Sequence, residues 1–135
     1  MSKQVTRALL DTSVIVDLDV IDEELLPEEC SIATITLAEL SAGLHAAMDF
    51  AQRAARQVIL QYVESTFQSV PFDSEAARAY GRIYAAVRAA GQKPRGGKAV
   101  DFFIAATALS RALPLFTRNS ADFTTVANLV EIVSL

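Results

Sequence analysis

The feature that most constrains this chain is an apolar run, residues 5–10, that stops on Asp11-Thr12-Ser13. Such a run reads as a buried strand, and the polar triplet after it as the start of a helix. The same alternation continues to the C-terminus. Residues 13–18 read as a short helix, and the acidic stretch 19–29, with Pro27, as a short helix and loop. Residues 31–35 are the second strand candidate. Thr36 then opens a helix through Leu37, Leu40 and Leu44, with Gly43 inside the pattern. Residues 50–66 have helical periodicity, with Ala54, Val58, Ile59, Tyr62 and Val63 as the expected inner face.

Residues 68–72 are a third strand candidate, and Asp73-Ser74 with Glu75 opens a helix running to Ala90. After a Gly-containing loop at 91–97, the segment 99–112 is almost wholly apolar and is expected to be a buried helix. A strand at 114–117, a short helix at 121–126 and a last strand at 130–133 complete the pattern. Strands alternating with helices predict an α/β fold, a three-layer α/β/α sandwich around a mostly parallel sheet. The 135 residues suit a single domain covering 1–135.

Composition narrows the function classes. The hydrophobic fraction is 52%, yet no stretch nears the roughly 18 apolar residues of a membrane span. After Lys3 and Arg7, the run Ala8-Leu9-Leu10 is cut by Asp11, which is too short for a signal peptide. A cytoplasmic protein with surplus apolar surface for a subunit or partner is expected. Cys30 is the only cysteine, so an intrachain disulfide and a cysteine-based zinc site are excluded, and it reads as a core residue. The net charge of −4 argues against phosphate binding over the whole surface. The charge is unevenly spread: eight acids and no base lie in 11–29, and four bases, Arg88, Lys93, Arg95 and Lys98, with no acid in 88–98. The two runs are either solvated surface or a basic edge beside an acidic site.

Ligands in open α/β sheets bind beyond the carboxyl ends of the strands. Asp11 follows the first strand, Glu39 the second by one helical turn, and Asn119 and Asp122 the fourth; Asp101 opens the buried helix. Each has a purely structural alternative. Asp11 could cap the next helix, and Thr36-Leu37-Ala38-Glu39 fits a capping box. Asp101 and Asp122 could face helix dipoles from a first turn. Asp101 resists that reading most, because it sits among Val100, Phe102, Phe103 and Ile104.

As a set, the acids point to a cation. Two unit charges about 4 Å apart repel by about 4 kcal/mol at an effective dielectric of about 20. Four carboxylates in one pocket need a divalent cation, and oxygen ligands favour Mg²⁺ or Mn²⁺. Such a site suits hydrolysis of phosphodiesters. His45 reads as a surface or rim residue, no nucleophile elbow is present, and Gly96-Gly97-Lys98 lacks the spacing of a phosphate-binding loop. Ser13 stands where an aspartyl-phosphate mechanism would want a second Asp.

Four segments together resemble the PIN-domain family, and in particular its VapC-type toxins: Leu9-Leu10-Asp11-Thr12-Ser13-Val14, Ile35-Thr36-Leu37-Ala38-Glu39-Leu40 followed by Gly43, Val100-Asp101-Phe102-Phe103-Ile104-Ala105-Ala106-Thr107-Ala108, and Leu115-Phe116-Thr117-Arg118-Asn119-Ser120-Ala121-Asp122-Phe123. They occur in the family's order over nearly the whole chain.

The resemblance implies an endoribonuclease dependent on Mg²⁺ or Mn²⁺. Asp11 and Asp101 match the firmest metal ligands, Glu39 a further one, and Asp122 a variable fourth position, with Asn119 where many members carry an acid. Thr12, Ser13 and Thr117 are implied hydroxyl contacts to substrate or to metal-bound water. Arg95, Lys98, Arg118 and Asn119 are expected to contact the RNA substrate. The resemblance further implies a cognate antitoxin that covers an apolar groove, and a homodimer or toxin–antitoxin hetero-oligomer. Two other readings stand beside it: a PIN-type nuclease in RNA maturation without an antitoxin, and a non-catalytic partner-binding module whose acids are caps.

Overall fold

The structure is a computed structural model that describes residues 5–135; Lys3 lies outside the described residues. Five strands form one sheet: β1 (Arg7–Leu10), β2 (Glu29–Ala33), β3 (Gln68–Val70), β4 (Leu115–Thr117) and β5 (Ile132–Ser134). Their order is β3-β2-β1-β4-β5, and every pairing is parallel. The helices are α1 (Thr12–Ile15), α2 (Thr34–His45), α3 (Phe50–Thr66), α4 (Ser74–Ala89) and α5 (Gly97–Ser110), with short 3-10 turns at Leu18–Val20, Glu23–Leu25 and Ser120–Val126. Among the described residues no helix is long and apolar enough to cross a membrane.

The sheet separates two cores because its side chains alternate. Leu9, Ala33 and Leu115 pack on one face with Ile83 and Val87 of α4 and Phe102 and Ile104 of α5. Ala8, Leu10, Ile32 and Phe116 pack on the other with Val14 and Ile15 of α1 and Val63 of α3. A parallel sheet buried on both faces has near-continuous apolar strands, which is how β1 reads. The chain winds outward from β1 to β2 and β3, then returns to β4 on the other side of β1. The crevice beyond the carboxyl ends of β1 and β4 is therefore the switch point, where ligands of such sheets bind.

Several expected boundaries shift. β2 ends at Ala33 and α2 begins at Thr34, earlier than the predicted 31–35 strand and Thr36 start. Register decides this: β1 ends at Leu10, whose partner is Ile32, and beyond Ala33 no strand remains for β2 to pair with on that side. The inner face of α3 is also rotated from the expected one. Leu60 and Val63 are buried, whereas Ala54, Val58 and Tyr62 are exposed. Ile59, expected inside, is half-buried, and Gln52 and Arg56 join it on the inward stripe. Arg56 can occupy it because its guanidinium donates to the Gly43 carbonyl of α2 at 2.6 Å. Cys30 is half-buried at the edge of the α3-side core rather than inside it, with its thiol directed at the Pro27 carbonyl.

Candidate active site

Asp11 stands at the N-cap position of α1, yet its side chain makes no capping bond. It is almost fully buried, at 3% exposure, and its carboxylate turns towards β4. Oδ2 accepts the hydroxyls of Ser13 at 2.7 Å and Thr117 at 2.9 Å. Both hydroxyls also accept backbone N–H groups, Ser13 from Arg118 and Thr117 from Asn119, each at 3.0 Å. Accepting those N–H groups directs the two hydroxyl protons to Asp11. The other oxygen, Oδ1, is buried with no hydrogen-bond partner. A buried carboxylate oxygen without a donor is costly and calls for a counter-charge.

Glu39 is not part of a capping box. Ala33, not Thr36, occupies the N-cap of α2. Glu39 Oε1 accepts from Thr12 Oγ1 at 2.7 Å, and Thr12 Oγ1 lies 2.9 Å from Thr36 Oγ1. Since the single proton of Thr12 goes to Glu39, Thr36 donates to Thr12. The relay Thr36–Thr12–Glu39 ties α2 to α1. Thr36 is fully buried, and sequence reasoning assigned it to the cap instead.

Asp101 lies in the second turn of α5, so the first-turn dipole reading fails for it. Its carboxyl is pushed up to about 7, first by burial and then by the charges of Asp11, Asp122 and Glu39, while Lys98 opposes the shift. Asp101 thus feels the charges of the three other acids named from sequence. Lys98 sits one turn before Asp101 on α5. Gly96, at φ 54°, takes the left-handed conformation that turns the loop into that helix. Asp122 lies in the first turn of the Ser120–Val126 segment, where its backbone N–H bonds Asn119 O at 2.9 Å.

Of the expected RNA contacts, Thr12, Ser13 and Thr117 are committed to the carboxylates. Arg118 pairs through Nη1 with Asp17 at 3.5 Å. Asn119 and Arg95 are exposed, Arg95 in the loop before α5. His45 is exposed in the last turn of α2. Arg56, which the sequence reading missed, lines a cleft with Thr12 and Glu39. Its signal was a base on the i, i+4, i+7 stripe with Leu60 and Val63.

The donors are all oxygen, the set a hard divalent cation takes. Among the described residues no group of three His, Cys, Asp or Glu side chains is spaced to hold a metal ion. Mg²⁺ does not call for such a group, because it keeps several waters and takes only one or two carboxylates directly. The orphaned Asp11 Oδ1 and the charge crowding at Asp101 make the residues fit such an ion.

Comparison with known proteins agrees with this geometry. The PIN domain family matches residues 8–129. Ribonuclease VapC5 of Mycobacterium tuberculosis is 36% identical over 126 residues, covering 91% of this chain and 90% of that protein. Ribonuclease VapC of Rickettsia bellii is 32% identical over 103 residues, covering 76% and 74%. Among solved structures, VapBC-5 of the toxin–antitoxin VapBC family from Mycobacterium tuberculosis superposes with a TM-score of 0.85 at 35% identity, covering 96% of this chain and 99% of that one. VapBC2 from Rickettsia felis, bound to a promoter DNA fragment, shares the fold at a TM-score of 0.78 and 23% identity, covering 96% and 98%. The chain belongs to the PIN-domain family, as a VapC-type member.

Proposed function

We propose that this protein is the toxin of a toxin–antitoxin pair, an endoribonuclease that hydrolyses RNA phosphodiester bonds with Mg²⁺ or Mn²⁺, and that residues 1–135 act as one nuclease unit. The observation that carries the chemistry is Asp11 Oδ1, buried without a hydrogen-bond partner, together with an Asp101 carboxyl raised by the charges of Asp11, Asp122 and Glu39. Asp11 and Asp101 would hold the cation directly, and Glu39 and Asp122 directly or through water. A divalent cation there supplies neutralisation of phosphate charge and acidification of water.

The chain's own residues do the rest. Ser13 and Thr117 fix the Asp11 carboxylate through Oδ2 and leave Oδ1 without a hydrogen-bond partner. Thr36 and Thr12 fix Glu39. Lys98, Arg95, Arg118 and Asn119 hold the RNA backbone beside these acids. In the reaction a water oxygen bonds phosphorus, the bond from phosphorus to one ribose oxygen breaks, the departing oxygen takes a proton and the water gives one up. Attack by water is favoured over attack by the 2′-hydroxyl because no general-base histidine is evident: His45, the one histidine of the sequence, is exposed in the last turn of α2. The relatives solved as VapBC complexes support a cognate antitoxin as partner. Exposed Val16, Val20, Val58 and Tyr62 offer apolar area for it or for a homodimer.

The test is cleavage of structured RNAs with Mg²⁺, Mn²⁺ or EDTA, wild type beside Asp11→Asn and Asp101→Asn. Cleavage that needs a metal and falls about 100-fold or more in both variants is expected, since each removes charge from the site. An Asp101→Asn protein that cuts at the wild-type rate removes this assignment. Growth arrest on expression, relieved by the product of a small adjacent gene, separates the toxin from an RNA-maturation nuclease.

A further inference from the structure

A cleft of about 290 Å³ opens between α1, α2 and α3, directly beside the acids. Thr12 and Glu39 belong to both. Its other walls are the apolar side chains of Val16, Leu40 and Ile59, and Arg56 closes it. Arg56 is half-buried and anchored through Nη1 to the Gly43 carbonyl at 2.6 Å. No ion pair of Arg56 occurs among the described residues. An anchored guanidinium among apolar side chains combines the two kinds of surface that unpaired bases contact in RNA recognition.

Gly43 adds an independent observation. It lies inside α2 and lines the same cleft, although glycine is the poorest helix former apart from proline. Its φ is not positive, and a Cβ there would meet nothing within 4 Å. Neither backbone conformation nor close packing in this chain requires glycine at 43. What the glycine preserves is open space next to Glu39.

We propose that this cleft seats one unpaired nucleobase of single-stranded RNA, next to the phosphate held at the acids, and that Arg56 fixes it. The inference rests on the nuclease reading and names how that site takes its substrate. The cleft has room for a single base and not for a paired helix. Charge favours RNA over an apolar peptide at this spot, because Arg56 supplies positive charge at the Glu39 end of the site as Lys98 does at the Asp101 end. A bound strand thus meets a cation near Glu39 and another near Asp101.

The test is steady-state cleavage of short single-stranded oligoribonucleotides, intact or abasic at either nucleotide beside the cleaved bond. Arg56→Ala is expected to raise KM about 10-fold on intact RNA, with kcat affected less, in line with loss of one stacked base. One abasic substitution should raise the wild-type KM similarly and add nothing in Arg56→Ala. Gly43→Leu, which grows a side chain into the cleft and favours the helix, guards against misfolding. With an unchanged melting curve it should bind intact RNA no better than abasic RNA. Additive losses from Arg56→Ala and the abasic site overturn the base seat while leaving the nuclease reading intact. So does a KM that Arg56→Ala leaves unaltered while inhibition by the antitoxin is lost, which would give the cleft to a peptide. A wild type that cuts no RNA with either metal overturns both readings.

Discussion

Thr117 at the end of β4 donates its hydroxyl to Asp11 Oδ2 at the end of β1, over 2.9 Å and 106 residues of chain. This bond crosses the switch point of the sheet. With Ser13 on the same oxygen, it leaves the opposite one buried without a hydrogen-bond partner.

Replacing Thr117 by Val keeps the shape and removes that donor. It also removes the acceptor of the Asn119 N–H. A loss of about 1–3 kcal/mol in stability is expected, because a buried carboxylate and an amide each lose a partner. Cleavage should fall further than stability accounts for, in kcat, whereas Thr117→Ser should retain both. Denaturant melts beside single-turnover cleavage check this, and a Val variant with wild-type kcat would detach Asp11 orientation from catalysis.

Asp101 makes the metal-free protein sensitive to pH. Its folded-state value of about 7 lies above the ordinary 3.8. Between those values the folded state binds the extra proton, so this group's favourable contribution is full below the ordinary value and is lost as pH rises to about 7. Since Asp101 is only half-buried, about 2 kcal/mol of loss is expected after solvent screening. In EDTA, Asp101→Asn should melt higher than wild type at pH 8 and nearly with it at pH 4. Mg²⁺ or Mn²⁺ should raise the wild-type melting temperature at pH 8 but not the variant's. Calorimetry should detect proton release on metal binding near pH 6, because the ligand must ionise. A variant that melts lower than wild type at pH 8 would mean that Asp101 is not crowded by its neighbours.

Asp17 holds Arg118 by an exposed contact of 3.5 Å, a pair worth under about 1 kcal/mol. Asp17→Asn should change stability little. It should free Arg118 for phosphate and lower KM for RNA at low salt, an advantage that fades as salt rises. Arg118→Ala should raise KM. Equal salt dependence of KM in Asp17→Asn and wild type would exclude Arg118 from the RNA path.

Much of this was legible in the amino-acid order, because it depends on local periodicity. Strand followed by helix, with apolar strands buried on both faces, determined the α/β sandwich. Acids that follow strand ends, Asp11 and Asp122, were visible as candidates for the same reason. The tertiary structure decided which structural alternatives were true. Asp11 could have capped α1; only the arrival of Thr117 from β4 turned its carboxylate away. Glu39 could have closed a capping box; pairing of β2 with β1 started α2 at Thr34 and left Thr36 to serve Thr12. Arg56 was not among the residues singled out from sequence; the Gly43 carbonyl, reached only in the fold, gives its guanidinium a partner on the inner side of α3. Sequence order determines what lies within a turn or a strand, whereas hydrogen bonds and charges between distant segments exist only once the fold brings those segments within a few ångströms.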